Sequence, residues 1–109
     1  MKLALRAGAD SIEHGTVMDD EVIQLFLKTG SYYVPTLSTV NGYIERIANN
    51  PDAYSLTVRE KIDWRIRVTG ESLRKAVHAG VKIAFGTDAG VSLHGRNADE
   101  FEWMVKNGM

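Results

Sequence analysis

One unit recurs along this chain: an amphipathic stretch, a glycine that closes it, and a β-prone stretch immediately after. It runs first as Arg6-Ala7-Gly8 followed by Asp10-Ser11-Ile12-Glu13-His14-Gly15. It returns as Lys28-Thr29-Gly30 followed by Tyr32-Tyr33-Val34-Pro35-Thr36-Leu37. The third instance is His78-Ala79-Gly80 followed by Val81-Lys82-Ile83-Ala84-Phe85-Gly86-Thr87-Asp88, and Lys106-Asn107-Gly108 opens a fourth just before Met109. Glycine adopts the left-handed conformation that ends a helix. A basic side chain in the last turn suits the negative end of the helix dipole. Helix, glycine, strand, three times over, predicts parallel strands joined by right-handed crossovers, which is an α/β fold.

The segments between the strands support this reading. Asp19, Asp20 and Glu21 suit a helix N-terminus, and Val22, Ile23, Phe26 and Leu27 form its apolar stripe. Residues 41–54 read as a longer excursion that breaks at Asn49-Asn50-Pro51-Asp52. Thr57 and Glu60 have capping-box spacing for one long helix, with Val58, Ile62, Ile66, Leu73 and Val77 as its stripe. Asn97-Ala98-Asp99-Glu100 opens a last helix carrying Phe101, Met104 and Val105.

Composition excludes several classes. The 109 residues are 44% hydrophobic and 25% charged, enough apolar surface to disfavour disorder. The 13 basic and 14 acidic side chains form no long run of one sign, so neither a nucleic-acid nor a membrane surface is indicated. The absence of cysteine removes disulfides, thiolate metal sites and cysteine nucleophiles. No apolar run is long enough to span a membrane, and the N-terminus has no signal core, so a cytoplasmic location is expected. Three strands barely make an independent sheet, and both ends read as interrupted. The expectation is one incomplete domain, residues 1–109, of a larger α/β protein.

In parallel α/β folds ligands meet the carboxyl ends of the strands. That rule selects His14-Gly15-Thr16, Thr36-Leu37 and Gly86-Thr87-Asp88-Ala89-Gly90. A histidine and an aspartate at strand ends suit a metal or acid/base site. Plainer roles stand beside this: His14 as a satisfied structural group and Asp88 as the cap of the following turn. His78 reads as a dipole partner in a last turn. His94, in the glycine-rich 89–96 loop, reads equally as a substrate contact or an exposed loop residue. Glu13 points away from His14's side of the strand, and Tyr32, Tyr33 and Trp103 read as packing.

Ser11-Ile12-Glu13-His14-Gly15-Thr16 resembles the sixth-strand segment of the amidohydrolase superfamily, and Ala84-Phe85-Gly86-Thr87-Asp88-Ala89-Gly90 resembles its eighth. Tyr33-Val34-Pro35-Thr36-Leu37 lies between them as the seventh. The stretch His94-Gly95-Arg96-Asn97-Ala98-Asp99-Glu100-Phe101 is similar to the branch of imidazolonepropionase-related amidohydrolases and Xaa-Pro or Xaa-Arg/Lys dipeptidases. The resemblance covers nearly the whole chain. It implies the C-terminal part of a TIM (β/α)8 barrel, strands 6–8 with their helices.

It also implies a metal-dependent hydrolase of an amide or peptide bond, dipeptidase-like, with one or two divalent metals, zinc being the family expectation. On this chain His14 would be the strand-six metal ligand, and Asp88 the strand-eight ligand and the general base and acid. His94 would be a substrate-side residue. The runner-up is a cyclic amide hydrolase of the imidazolonepropionase kind. The non-enzymatic alternative is an inactive fragment acting through association. Only His14, His78 and His94 are present and no His-x-His occurs, so the activity would belong to a complete parent chain. The expected partners are a small-molecule or dipeptide substrate, and either a second copy of the chain or the rest of the barrel.

Overall fold

The computed structural model describes residues 1–109. Six helices and two strands follow in order: α1 (Lys2–Arg6), β1 (Ser11–Glu13), α2 (Asp20–Thr29), β2 (Tyr32–Val34), α3 (Thr39–Asn49), α4 (Leu56–Val68), α5 (Glu71–Ala79) and α6 (Asp99–Lys106). β1 and β2 are parallel, with Ser11 opposite Tyr32, Ile12 opposite Tyr33 and Glu13 opposite Val34. Their crossover is α2. The Asp19 side chain caps it by accepting the Val22 N–H at 2.9 Å, and Gly30 closes it at φ 71°. The same device closes α5 at Gly80, φ 80°. The recurring unit is therefore a true structural repeat.

The third predicted strand is shorter than its sequence suggests. Ile83 alone bridges to Tyr33, in parallel. The Tyr33 N–H donates to Lys82 O at 2.8 Å, and the Ala84 N–H to Tyr33 O at 2.9 Å. Beyond Ala84 the chain leaves the ladder: Phe85 stacks on Phe101 with ring centroids 4.3 Å apart. β2 is thus central, with residues 81–85 on one side and β1 on the other.

Two further expectations need correction. The long helix after the break is two helices, α4 and α5, separated at Thr69 and Gly70. Gly70 has φ 89°, a left-handed conformation that no helix interior tolerates, and the Asn107 side chain packs where a Cβ would stand. The capping box does not form either: Ser55 is the N-cap of α4 and makes no side-chain cap bond. Residues 41–54 are not simply an excursion, because Thr39–Asn49 is helical. The break at Asn50-Pro51 stands between α3 and α4, as its sequence predicts.

The core gathers Leu5, Met18, Val22, Ile23, Phe26, Tyr33, Leu37, Leu73, Ala76, Val81 and Met104. It joins the inner faces of α1, α2, α5 and α6 to the sheet. Leu27, Val58, Phe101 and Val105, which complete the predicted stripes, are exposed. No helix is long and apolar enough to cross a membrane.

Candidate active site at the strand ends

Three residues outside glycine adopt positive φ: His14 (68°), Thr36 (48°) and Asp88 (52°). Each follows one of the three aligned strand segments. Left-handed backbone at a non-glycine residue costs on the order of 1–3 kcal/mol, and it is most unfavourable for a β-branched residue such as threonine. The neighbouring chain holds all three in place. The His14 N–H donates to Val34 O at 2.9 Å, and the Tyr33 hydroxyl donates to His14 O at 3.2 Å. Thr39 Oγ1 donates to Thr36 O at 2.8 Å, and the Val91 N–H to Asp88 O at 3.2 Å. Strain concentrated at three converging strand ends, and enforced by the fold, makes them the candidate site.

Hydrogen bonding orients the imidazole. The Thr36 hydroxyl has one proton, and it donates that proton to Pro35 O at 2.8 Å. The same Thr36 Oγ1 lies 2.7 Å from His14 Nδ1. This contact engages Nδ1 and leaves Nε2 as the free ring nitrogen. That nitrogen faces Asp88 Oδ2 at 4.0 Å, with the two side chains 54% and 44% exposed. Both donor atoms are open to a ligand.

Tetrahedral zinc, with bonds of about 2.0–2.2 Å, places its donors about 3.4 Å apart, so His14 Nε2 and Asp88 Oδ2, 4.0 Å apart, would share one ion after closing by about half an ångström. His14 and Asp88 fit as part of a metal site. No group of three or more His, Asp or Glu side chains converges anywhere in the chain, so the pair is not a complete site.

The pair opens onto a recess of about 230 Å³ lined by His14, Thr16, Thr39, Tyr43, Arg65 and Asp88. Sequence reasoning selected the strand ends at Thr16 and Thr36 but missed Thr39, Tyr43 and Arg65. A signal existed for two of them. Val40, Tyr43, Ile44 and Ile47 stand at helical spacing, and Arg65 lies three residues beyond Ile62 on the same helical face. His94 is exposed on the loop after the third strand and does not line the recess. His78 is exposed in the last turn of α5, as a dipole partner would be. Tyr33 is buried in the core, where desolvation pushes its phenol well above its ordinary range.

The floor of the site is held from behind. Glu100, the second residue of α6, is fully buried. Its carboxylate accepts the Leu37 N–H at 2.8 Å and the Ser38 N–H at 2.6 Å. These N–H groups directly follow Thr36 in the turn that leads into α3, so Glu100 satisfies the donors at a buried helix entrance and fixes the turn that carries the threonine. Gly42, inside α3, lets the 88–92 loop pass close by, since a Cβ there would collide with Val91 O.

The family model for the amidohydrolase family matches residues 1–109. An uncharacterized protein of Mycobacterium tuberculosis is 38% identical over 106 residues, which are 96% of this chain and 28% of that protein. Ochratoxinase of Aspergillus niger is 30% identical over 105 residues, 96% of this chain and 21% of the enzyme. The crystal structure of a Xaa-Pro dipeptidase with methionine bound in its active site matches with a TM-score of 0.87 and 46% identity. That match covers 99% of this chain and 26% of the other. The crystal structure of ochratoxinase matches with a TM-score of 0.80 and 31% identity, over 99% and 24% of the two chains. The chain thus spans about a quarter of the length of the relatives it matches.

Proposed function

The chain belongs to the amidohydrolase family, and from that premise we propose that it is the segment of a metal-dependent hydrolase that supplies two of the metal ligands and the proton-transferring carboxylate. β1, β2 and residues 81–85 would be strands six to eight of a (β/α)8 barrel. The reaction would be hydrolysis of an amide or peptide bond in a small substrate, dipeptidase-like. The observation that carries this reading is the facing of His14 Nε2 and Asp88 Oδ2 across 4.0 Å at two strained strand ends.

A divalent cation held there, zinc in our reading, would supply Lewis acidity for the scissile carbonyl and would lower the pKa of the attacking water. His14 would contribute Nε2, its ring held at Nδ1 by Thr36. Asp88 contributes an oxygen donor, takes the proton of the attacking water and returns it to the leaving amine. Catalytic zinc sites use about three protein ligands. The remaining donors would come from the part of the parent enzyme that this chain does not span. A dipeptide substrate is favoured by the likeness to a Xaa-Pro dipeptidase at 46% identity.

The test is made on the full-length protein that contains this segment, loaded with zinc and offered a panel of dipeptides and N-acyl amino acids. Hydrolysis that falls at least 1,000-fold in Asp88→Asn, with the metal retained, is the expected result, on the order of what removal of a central proton-transfer group costs. Unchanged hydrolysis in Asp88→Asn would overturn the assignment of Asp88.

A further inference from the structure

Arg65, on α4, reaches the recess from outside the sheet. It is partly buried, and none of the chain's ion pairs includes it. A guanidinium has five N–H donors. Arg65 uses one arm only: Nη1 donates to Thr69 Oγ1 at 3.1 Å, and the Thr69 hydroxyl in turn donates to Arg65 O at 2.7 Å. Thr69 therefore fixes the side chain without neutralising it. Desolvation pulls the guanidinium below its ordinary range, the cost of holding an unpaired cation away from water. Tyr43 stands beside it, and its hydroxyl makes no hydrogen bond within the chain. Unsatisfied donors at a rigid, partly buried position call for an anionic acceptor, and a planar fork suits a carboxylate best.

Arg65 and Tyr43 also line a second recess of about 240 Å³, together with Tyr54, Val58, Lys61 and Ile62. This recess is mainly apolar, whereas the one holding His14 and Asp88 is mainly polar. The Arg65 guanidinium and the Tyr43 phenol therefore stand between a polar chemical end and an apolar pocket. Asp88 is the only carboxylate lining either space, and it faces His14.

We propose that Arg65 binds the free α-carboxylate of the substrate's C-terminal residue, assisted by Tyr43, and that this residue's apolar side chain enters the recess of Tyr54, Val58 and Ile62. The site then selects an N-acyl amino acid with an apolar side chain over the corresponding amide. The inference deepens the hydrolase reading and rests on it for the words "substrate" and "C-terminal". The binding itself can be read without catalysis.

The experiment uses N-acetyl-L-leucine and N-acetyl-L-leucinamide as probes, titrated into 15N-labelled protein while the Arg65 Nε–Hε resonance is followed. Arg65→Met assigns that resonance. The acid is expected to shift it and the amide to leave it in place. Affinity for the acid is expected to fall about tenfold or more in Arg65→Met, the scale of a lost charge-assisted hydrogen bond. Arg65→Lys, which keeps the charge but loses the fork, is expected to fall between the two. It serves as the test if the methionine variant does not fold. Equal responses to acid and amide, no response to the acid, or full affinity in a folded Arg65 variant would each overturn the proposal. Product formation is measured in parallel on the zinc-loaded full-length protein. Selective binding without hydrolysis would sink the hydrolase reading and leave the carboxylate site standing. Hydrolysis of acid and amide alike, unchanged in Arg65→Met, would do the reverse.

Discussion

The carboxylate of Glu100 accepts the backbone N–H of Ser38 at 2.6 Å, joining residues 62 positions apart in a place that water does not reach. The same side chain takes the Leu37 N–H at 2.8 Å. This clamp couples α6 to the turn that begins α3, immediately after Thr36, and so ties the last helix to the geometry of His14.

Replacing Glu100 with alanine leaves two buried N–H donors without acceptors. Each costs about 1–3 kcal/mol, so Glu100→Ala is expected to lower stability by about 2–5 kcal/mol in urea denaturation. Glu100→Gln keeps one acceptor oxygen and is expected to lose roughly half as much. A loss within experimental error for the alanine variant would show that these N–H groups find other partners.

Thr36→Val removes the hydroxyl that meets His14 Nδ1. Nitrogen-15 spectra of the imidazole are expected to show the Nδ1–H tautomer in the native chain and a mixture in the variant. Outer partners of metal-bound histidines are worth about 10–100-fold in affinity, so zinc binding by the full-length protein should weaken by that factor. An unchanged tautomer would refute the role given to Thr36.

Gly42→Ala sets two effects against each other. Alanine in a helix interior gains about 1 kcal/mol over glycine, but here its methyl group meets Val91 O. Overpacking against backbone costs about 1–3 kcal/mol, so a net loss of stability is expected, with chemical shifts moving through the 88–92 loop. A more stable variant would mean that the loop yields at little cost.

Tyr33 makes stability depend on alkaline pH. Its phenol ionises less readily when folded, because burial raises its pKa from 10.0. Above about pH 10 the unfolded chain loses this proton first, so the unfolded state binds fewer protons and stability falls as pH rises. Below pH 10 the contribution is fully present. Tyr33→Phe is expected to be slightly less stable at neutral pH, having lost the bond to His14 O, and to lose less stability between pH 9 and 11. Parallel pH curves for the two proteins would contradict this.

Much of the fold was legible in the amino-acid sequence because local physics writes it there. Gly30 and Gly80 end helices wherever the chain is cut, Asp19 caps α2 through its own side chain, and the next residues alternate into strands. His14 and Asp88 were legible for a related reason, since strand ends can be located from the same punctuation. Gly70 was harder to read. A glycine inside an apolar stripe is compatible with a continuous helix, and only packing against Asn107 gives its left-handed turn a purpose. The third strand has β-prone residues to spare, yet its ladder length depends on where Phe101 draws Phe85.

The sequence by itself determined the helix–glycine–strand repeat and the two residues whose chemistry stands at its ends, because capping, dipoles and periodicity act within a few residues. Tertiary structure alone decided that Thr36 meets the Nδ1 of His14, that Glu100 holds the turn behind it, and that Arg65 enters the recess without an ionic partner. Those relations join positions 22 to 63 residues apart. They exist only once packing fixes both partners, and no local rule of the chain encodes them.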